Sequence, residues 1–202
     1  ASYRRQRQMC IRDSIKSLYV FDIDDTLFRT TARAKLTNSE GKVKYLNSQE
    51  LKDFKVKNDE TICFAEFKDS KKFVNESQPI NPIIKKAQDC IKEAAYGSKT
   101  ILLTARSDLD CKDLFLEYLN SSGLDINHIY VERAGNLAKL KTAEAKKLII
   151  SKYLKSHQYQ AAYLFDDSID NIQSFVQLKK VFPKIRIIPK HVDDTMIKRT
   201  NF

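Results

Sequence analysis

The chain has 202 residues, 42% of them hydrophobic and 31% charged, with a formal net charge of +10. That length accommodates one α/β domain with a modest insertion, and the composition excludes intrinsic disorder. No apolar run approaches the roughly 18 residues that span a bilayer, and no signal peptide precedes the first strand, so a soluble intracellular protein is expected.

The first fourteen residues stand apart. Arg4 to Ser14 reads RRQRQMCIRDS, which matches an in-frame translation of a transposase-based sequencing adapter. The segment 1–14 is therefore expected to be foreign, with the natural start near Ile15. The rival reading is a basic arm that binds nucleic acid. Without Arg4, Arg5, Arg7, Arg12 and Asp13 the formal charge falls from +10 to +7. Cys63, Cys90 and Cys111 then remain, an odd number with no C-x-x-C pair. That argues against a zinc site or a disulfide framework.

Ser17 to Phe21 (SLYVF) is a short apolar run rich in β-formers and predicts a buried strand. The stretch Thr30 to Gln78 follows directly and breaks the later rhythm. Ala32 to Leu36 and Lys42 to Leu46, joined by Asn38-Ser39-Glu40-Gly41, predict a β-hairpin, and Gln49 to Phe54 and Glu66 to Val74 predict short helices. Asn81 as cap, with Pro82 at the first helical position, starts a helix running to Tyr96 before Gly97. Then come strand Thr100 to Leu103, helix Asp108 to Leu119, strand His128 to Val131, and a helix opened by Thr142. Strand Ala161 to Phe165, helix Ile169 to Val181 stopped by Pro183, and strand Ile185 to Ile188 close the series. Strands alternating with helices predict an α/β fold whose parallel sheet is wrapped on both faces, with the site in loops at the strands' carboxyl ends. The predicted division is a core of 15–29 and 79–202 with a small cap of 30–78.

The first strand ends Asp22-Ile23-Asp24-Asp25-Thr26-Leu27. Two carboxylates one residue apart point to the same side of an extended chain, where a cation between them relieves their repulsion. One can attack phosphorus while the other moves a proton. A lone D-x-D is weak, because acidic turns after strands are common and nucleotide-sugar transferases carry a similar signature. Three later positions strengthen it. Thr104 brings a hydroxyl to the end of the second core strand, although alone it reads as a helix cap. Lys146 can steady transferring phosphoryl charge, with Lys141 or Lys147 as alternatives. Asp166-Asp167-Ser168, with Asn171 beyond, ends the fourth core strand and would complete an oxygen-only site suited to Mg²⁺.

The order of these pieces resembles the four motifs of the haloacid dehalogenase (HAD) superfamily: DxDxT-L, a strand-end Thr, a helical Lys and a strand-end acidic pair. Bacterial receiver domains use similar residues, but in a different order. The resemblance covers Ser17 to Ile188 and implies a HAD-type, Rossmann-like three-layer sandwich with a small cap inserted after the first strand. It implies Asp22 as nucleophile and Asp24 as general acid/base. Asp22, Asp167 and the Asp24 carbonyl would bind Mg²⁺, with Asp166 and Asn171 in support. Thr104 and Lys146 would hold the phosphoryl group, and Thr26 and Arg106 would contact substrate.

LYVFDIDDTLF is similar to the opening of small phage-encoded HAD proteins and Thr104-Ala105-Arg106 to the phosphatase half of phage polynucleotide kinases. No G-x-x-x-x-G-K-[ST] occurs, so a kinase half is not expected. The implied activity is a phosphomonoesterase in the cytoplasm of a bacterium or a phage-infected cell, acting on nucleotides or nucleic-acid ends. A general sugar-phosphate phosphatase and a non-catalytic phosphate- or nucleic-acid-binding module are the alternatives. Seven cations from Lys179 onward (Lys179, Lys180, Lys184, Arg186, Lys190, Lys198, Arg199), against Asp193 and Asp194, allow weak contact with nucleic acid; a solvated lysine surface explains them equally well.

Overall fold

The structure is a computed structural model that describes residues 15–137, 139–156, 158–193 and 196–199. The segment 1–14 lies outside the described residues. Its centre is a sheet of five parallel strands: β1 (Ser17–Phe21), β7 (Lys99–Thr104), β8 (Ile129–Arg133), β9 (Ala161–Asp166) and β10 (Arg186–Asp193). Their order is β10-β9-β1-β7-β8, and β11 (Met196–Arg199) adds an antiparallel edge beyond β10. Every residue of β1 is buried, as a central parallel strand covered on both faces requires.

The sheet separates two apolar clusters. On one face Tyr19, Phe21, Leu102 and Phe165 pack with Ile83, Ile84, Ala87 and Ile91 of helix α3 (Asn81–Lys92) and Phe115 and Leu119 of α4 (Lys112–Ser121). On the other, Leu18, Val20, Ile101, Leu103 and Leu164 meet Ala145, Ile149 and Leu154 of α5 (Thr142–Ser156) and Ile172 and Phe175 of α6 (Ile169–Val176). The architecture is Rossmann-like: helices flank both faces of a parallel sheet. Among the described residues no helix is long and apolar enough to cross a membrane.

The chain proceeds from β1 through β7 to β8 on one side, then returns to β9 and β10 on the other. The crevice at this reversal, outside the carboxyl ends of β1, β7 and β9, is where such sheets place ligands. An excursion over it leaves and returns through a short antiparallel stem, β2 (Phe28–Arg29) with β6 (Gln78–Pro79). It carries a three-stranded sheet in the order β4-β3-β5: β3 (Ala34–Asn38), β4 (Val43–Leu46) and β5 (Glu60–Cys63). Helices α1 (Ser48–Asp53) and α2 (Ser70–Glu76) belong to it. Phe73 of α2 anchors it to the core, its ring set against Phe28, Phe115 and Tyr118.

Several local details differ from the sequence reading. The third excursion strand, β5, and the stem had no signal, being short and half polar. The cap of α3 is Ile80, which makes no side-chain cap bond; its N–H donates to the Leu27 carbonyl (2.8 Å), so the stem, not Asn81, fixes where the helix begins. Helix α4 starts at Lys112 rather than Asp108. Asp110 N–H donates to the Lys68 carbonyl (3.0 Å) and its carboxylate accepts from Ser70 N–H (2.9 Å), tying the preceding loop to the excursion. The predicted helix Ile169 to Val181 divides into α6 and α7 (Leu178–Val181).

Candidate active site

Strand β1 delivers Asp22 to the crevice, its N–H held by the Phe165 carbonyl (2.9 Å). The chain then makes one tight turn, with Leu27 and Phe28 N–H both donating to the Ile23 carbonyl (3.0 Å each). Asp25 takes a left-handed conformation (φ 58°) to close it; aspartate tolerates that region better than most residues. The turn sends the side chains of Asp22 and Asp24 to different partners.

Asp22 faces a lysine. Lys146 of α5 is 2% exposed, and its ammonium donates to Asp22 (2.6 Å) and to Asp166 (2.8 Å). Lys147 instead reaches Glu144 and Gln177, and Lys141 is exposed. Asp166 is fully buried and saturated: it also accepts from Ser168 N–H (2.9 Å) and from the Asn171 amide (2.9 and 3.0 Å). Asn171 and Asp166 thus orient Lys146. Burial pushes the Asp22 carboxyl well above the usual range; Lys146 opposes this, and Asp166, Asp167 and Asp24 reinforce it. Burial would lower the Lys146 pKa, but Asp166 and Asp22 raise it, so the amine stays charged.

Asp24 faces an arginine. Arg106, 3% exposed, places Nε 3.1 and 3.0 Å and Nη2 2.6 Å from the Asp24 oxygens. Thr104 Oγ1 donates to the same carboxylate (3.3 Å) and accepts from Arg106 N–H (3.0 Å). Burial alone would raise the Asp24 pKa, but the guanidinium's charge and hydrogen bonds outweigh it and hold the carboxyl below its ordinary range. The third guanidinium nitrogen donates to the Phe67 carbonyl (2.9 Å), and the group lies over the rings of Phe67 and Phe73. Arg106 therefore ties the acid to the excursion.

Asp22, Asp166 and Asp167 bring carboxylate oxygens within 4.8 Å of one another. Fully ionised, these three acids against Lys146 leave an excess of two negative charges, which a divalent cation would balance. The donors are all oxygen, the set a magnesium ion takes. Asp166 already accepts hydrogen bonds on both oxygens, so Asp22 and Asp167 suit direct coordination better.

Thr26 and Arg106 take places that the sequence did not foretell. Thr26 is fully buried, and its hydroxyl accepts from the Asp167 N–H (3.1 Å), fixing that loop. Arg106 binds Asp24 in the geometry described above. Other contributors carry no motif. Ser48 of α1 hydrogen-bonds Asp25, and the Gln49 amide lies 3.4 Å from Asp25 and 3.5 Å from Asp167. The start of α1, set by a reciprocal Asn47–Glu50 capping box, thereby touches the acidic cluster. His191 of β10 hydrogen-bonds the Asp167 carbonyl (3.1 Å). Gly135 passes so close to the Arg106 loop that a Cβ there would fall 2.4 Å from the Ala105 carbonyl. Such contacts depend on chain segments far apart in sequence, so no local pattern could have marked them.

A scan against protein-family models finds no match to this chain, and neither does a search of curated proteins.

Proposed function

We propose that this chain is a HAD-type phosphohydrolase that cleaves phosphomonoesters, of nucleotides or nucleic-acid ends, through an aspartyl-phosphate on Asp22. One observation carries the reading: Asp22 lies in a buried Lys146–Asp166 frame beside Asp167, while the next acid in the motif, Asp24, is held separately by Arg106 and Thr104. The strand order and the excursion inserted directly after β1 accord with it.

An Asp22 oxygen attacks phosphorus and the bond to the leaving oxygen breaks, with a proton from Asp24 passing to the departing alkoxide. Water then attacks the phosphorus of the aspartyl-phosphate, Asp24 takes its proton, and Asp22 and phosphate are released. Lys146 offsets charge on Asp22 and on the transferring group. A magnesium ion held by Asp22 and Asp167 would supply charge neutralisation to the phosphoryl oxygens.

The ionised Asp24 suits the second half, where a base is needed. The first half needs Asp24 protonated, which the Arg106 clamp opposes. The reading therefore requires the guanidinium to turn toward the arriving phosphoryl dianion, releasing Asp24 to hold a proton. Arg106 would then contact substrate after all.

The test is a panel of nucleotides, 3′- and 5′-phosphorylated oligonucleotides and sugar phosphates, each with Mg²⁺ and with excess EDTA. Magnesium-dependent phosphate release that vanishes in Asp22→Asn is expected. Full turnover in EDTA, or in Asp22→Asn, would overturn the mechanism. Preference for sugar phosphates would retain the chemistry and replace the substrate class.

A further inference from the structure

A cleft of about 840 Å³ runs along β10, lined in part by Tyr163, Lys184, Arg186, Ile188 and Lys190. Among the described residues, no carboxylate lines it. Alternation along the strand creates it. Ile187 and Pro189 are buried, whereas Arg186, Ile188 and Lys190 face the other side of the sheet, where Ile188 is level with Tyr163 of β9. Lys184 stands in the turn that enters the strand.

The cleft has a direction. Arg186 is level with Ala161, at the start of β9, and Lys190 with Phe165, the residue before Asp166. Four residue steps of strand separate the two cations, roughly 13 Å at 3.3 Å per residue. The next residue, His191, is the one that holds the Asp167 carbonyl. A row of cations thus leads from the far edge of the sheet to the rim of the acidic cluster.

Resting on the phosphomonoesterase reading for its biological sense, we propose that this cleft is a track for the backbone of a single-stranded nucleic acid whose phosphorylated end enters the Asp22 site. An open basic groove lined in part by an aromatic side chain is how proteins hold single strands without reading sequence. The cations neutralise successive phosphates, Tyr163 offers a ring to a base, and Lys190 hands the terminus toward Asp167. A free nucleotide is too short to reach Arg186 from the acidic cluster, so the track favours strands over mononucleotides.

The experiment measures binding of a fluorescently labelled, unphosphorylated oligo-dT strand by anisotropy across a salt series. This probe has no scissile phosphate, so the result is independent of turnover, and failure of the phosphohydrolase reading would leave it interpretable. Three phosphate contacts on a single strand predict a log–log salt slope of about −2, a loss of about twentyfold in affinity for a fourfold rise in salt. K184E/R186E/K190E should abolish this binding, and R186A alone should reduce the slope by about 0.7. Melting temperature checks that the variants fold. K85E/K86E, on the exposed side of α3, reverses two charges away from the cleft and should bind like the parent chain. Absence of salt-dependent binding by the parent chain, an unchanged slope in R186A, or an equal loss in K85E/K86E would each overturn the proposal.

Discussion

Arg106→Ala is the substitution whose cost follows most directly from the geometry. The guanidinium is 1% exposed and its partner carboxylate 14%, so the pair is buried and poorly screened. Truncation removes the bidentate contact to Asp24 and the bond to the Phe67 carbonyl, and it leaves a carboxylate without its counter-charge. Breaking a buried pair on one side costs about 3–5 kcal/mol, or about 6–20 °C in melting temperature for a chain of this size. Arg106→Lys should recover only part of this, because an ammonium cannot span both Asp24 oxygens. In a double-mutant cycle with Asp24→Ala, removing both partners should cost less than the sum of the single losses, by up to about 3 kcal/mol. The pH dependence has a definite sign. The Asp24 pKa is lower in the folded protein than in the unfolded chain, so the pair's contribution is complete above about pH 4. It disappears as pH falls through the lower folded value. Urea unfolding of all four proteins, at neutral pH and in acid, measures each term. A loss below about 1 kcal/mol for Arg106→Ala, with strictly additive single variants, would refute the clamp.

Three further outcomes are expected. Asp24→Asn should lose about 10²–10⁴-fold in rate on a nucleotide phosphate, whose alkoxide must be protonated, and far less on p-nitrophenyl phosphate, whose leaving group departs unaided; equal losses on both would remove Asp24 from the acid role. Asp167→Asn should weaken Mg²⁺ binding, measured by calorimetry, while leaving the Lys146–Asp22–Asp166 frame folded, and unchanged affinity would move the metal contact elsewhere. Gly135→Ala should cost about 1–3 kcal/mol from overpacking, because its Cβ would meet the backbone of Ala105, Arg106 and Ser107; a neutral effect in thermal unfolding would show that this loop yields freely.

The core strands were legible because burial on both faces leaves an unmistakable apolar run, as in SLYVF and AAYLF, ending in residues that cannot stay in a core. The candidate acids were legible for the same reason, since an apolar strand that stops at a carboxylate marks the sheet's edge. Strand β10 extends beyond the apolar run Ile185 to Ile188. Lys190 to Asp193 is polar except for the buried Val192 and is held as strand by pairing with β11, and at Lys190 and His191 also with β9, a long-range gain that local pattern does not carry. Lys146 could not be separated from Lys141 and Lys147 by sequence, because all three sit near the start of one helix. Only the rotation of α5 against β1 and β9 decides which of them enters the crevice. Arg106 stands out in sequence only by its place after Thr104, while its main partner, Asp24, lies 82 positions earlier.

The two acids of the D-x-D motif are chemically alike and two residues apart, and their surroundings drive them in opposite directions. Asp22 shares Lys146 with Asp166 and has Asp167 nearby, so burial and repulsion push its carboxyl upward. Asp24 has Arg106 with both oxygens engaged and is pulled downward. A nucleophile must be ionised, so Asp22 is the acid that needs additional positive charge in the crevice, and Asp24 is not. A divalent ion beside Asp22 and Asp167 would meet that need, favouring the Asp22 carboxylate without disturbing the Arg106 clamp. Metal dependence and nucleophile identity are thus linked. If Asp22 is the attacking group, chelating the metal should cost activity, because the added positive charge that favours the Asp22 carboxylate is removed. If Asp24 were the attacking group, the Arg106 clamp would already favour its carboxylate, and the nucleophile would not depend on the metal for its charge.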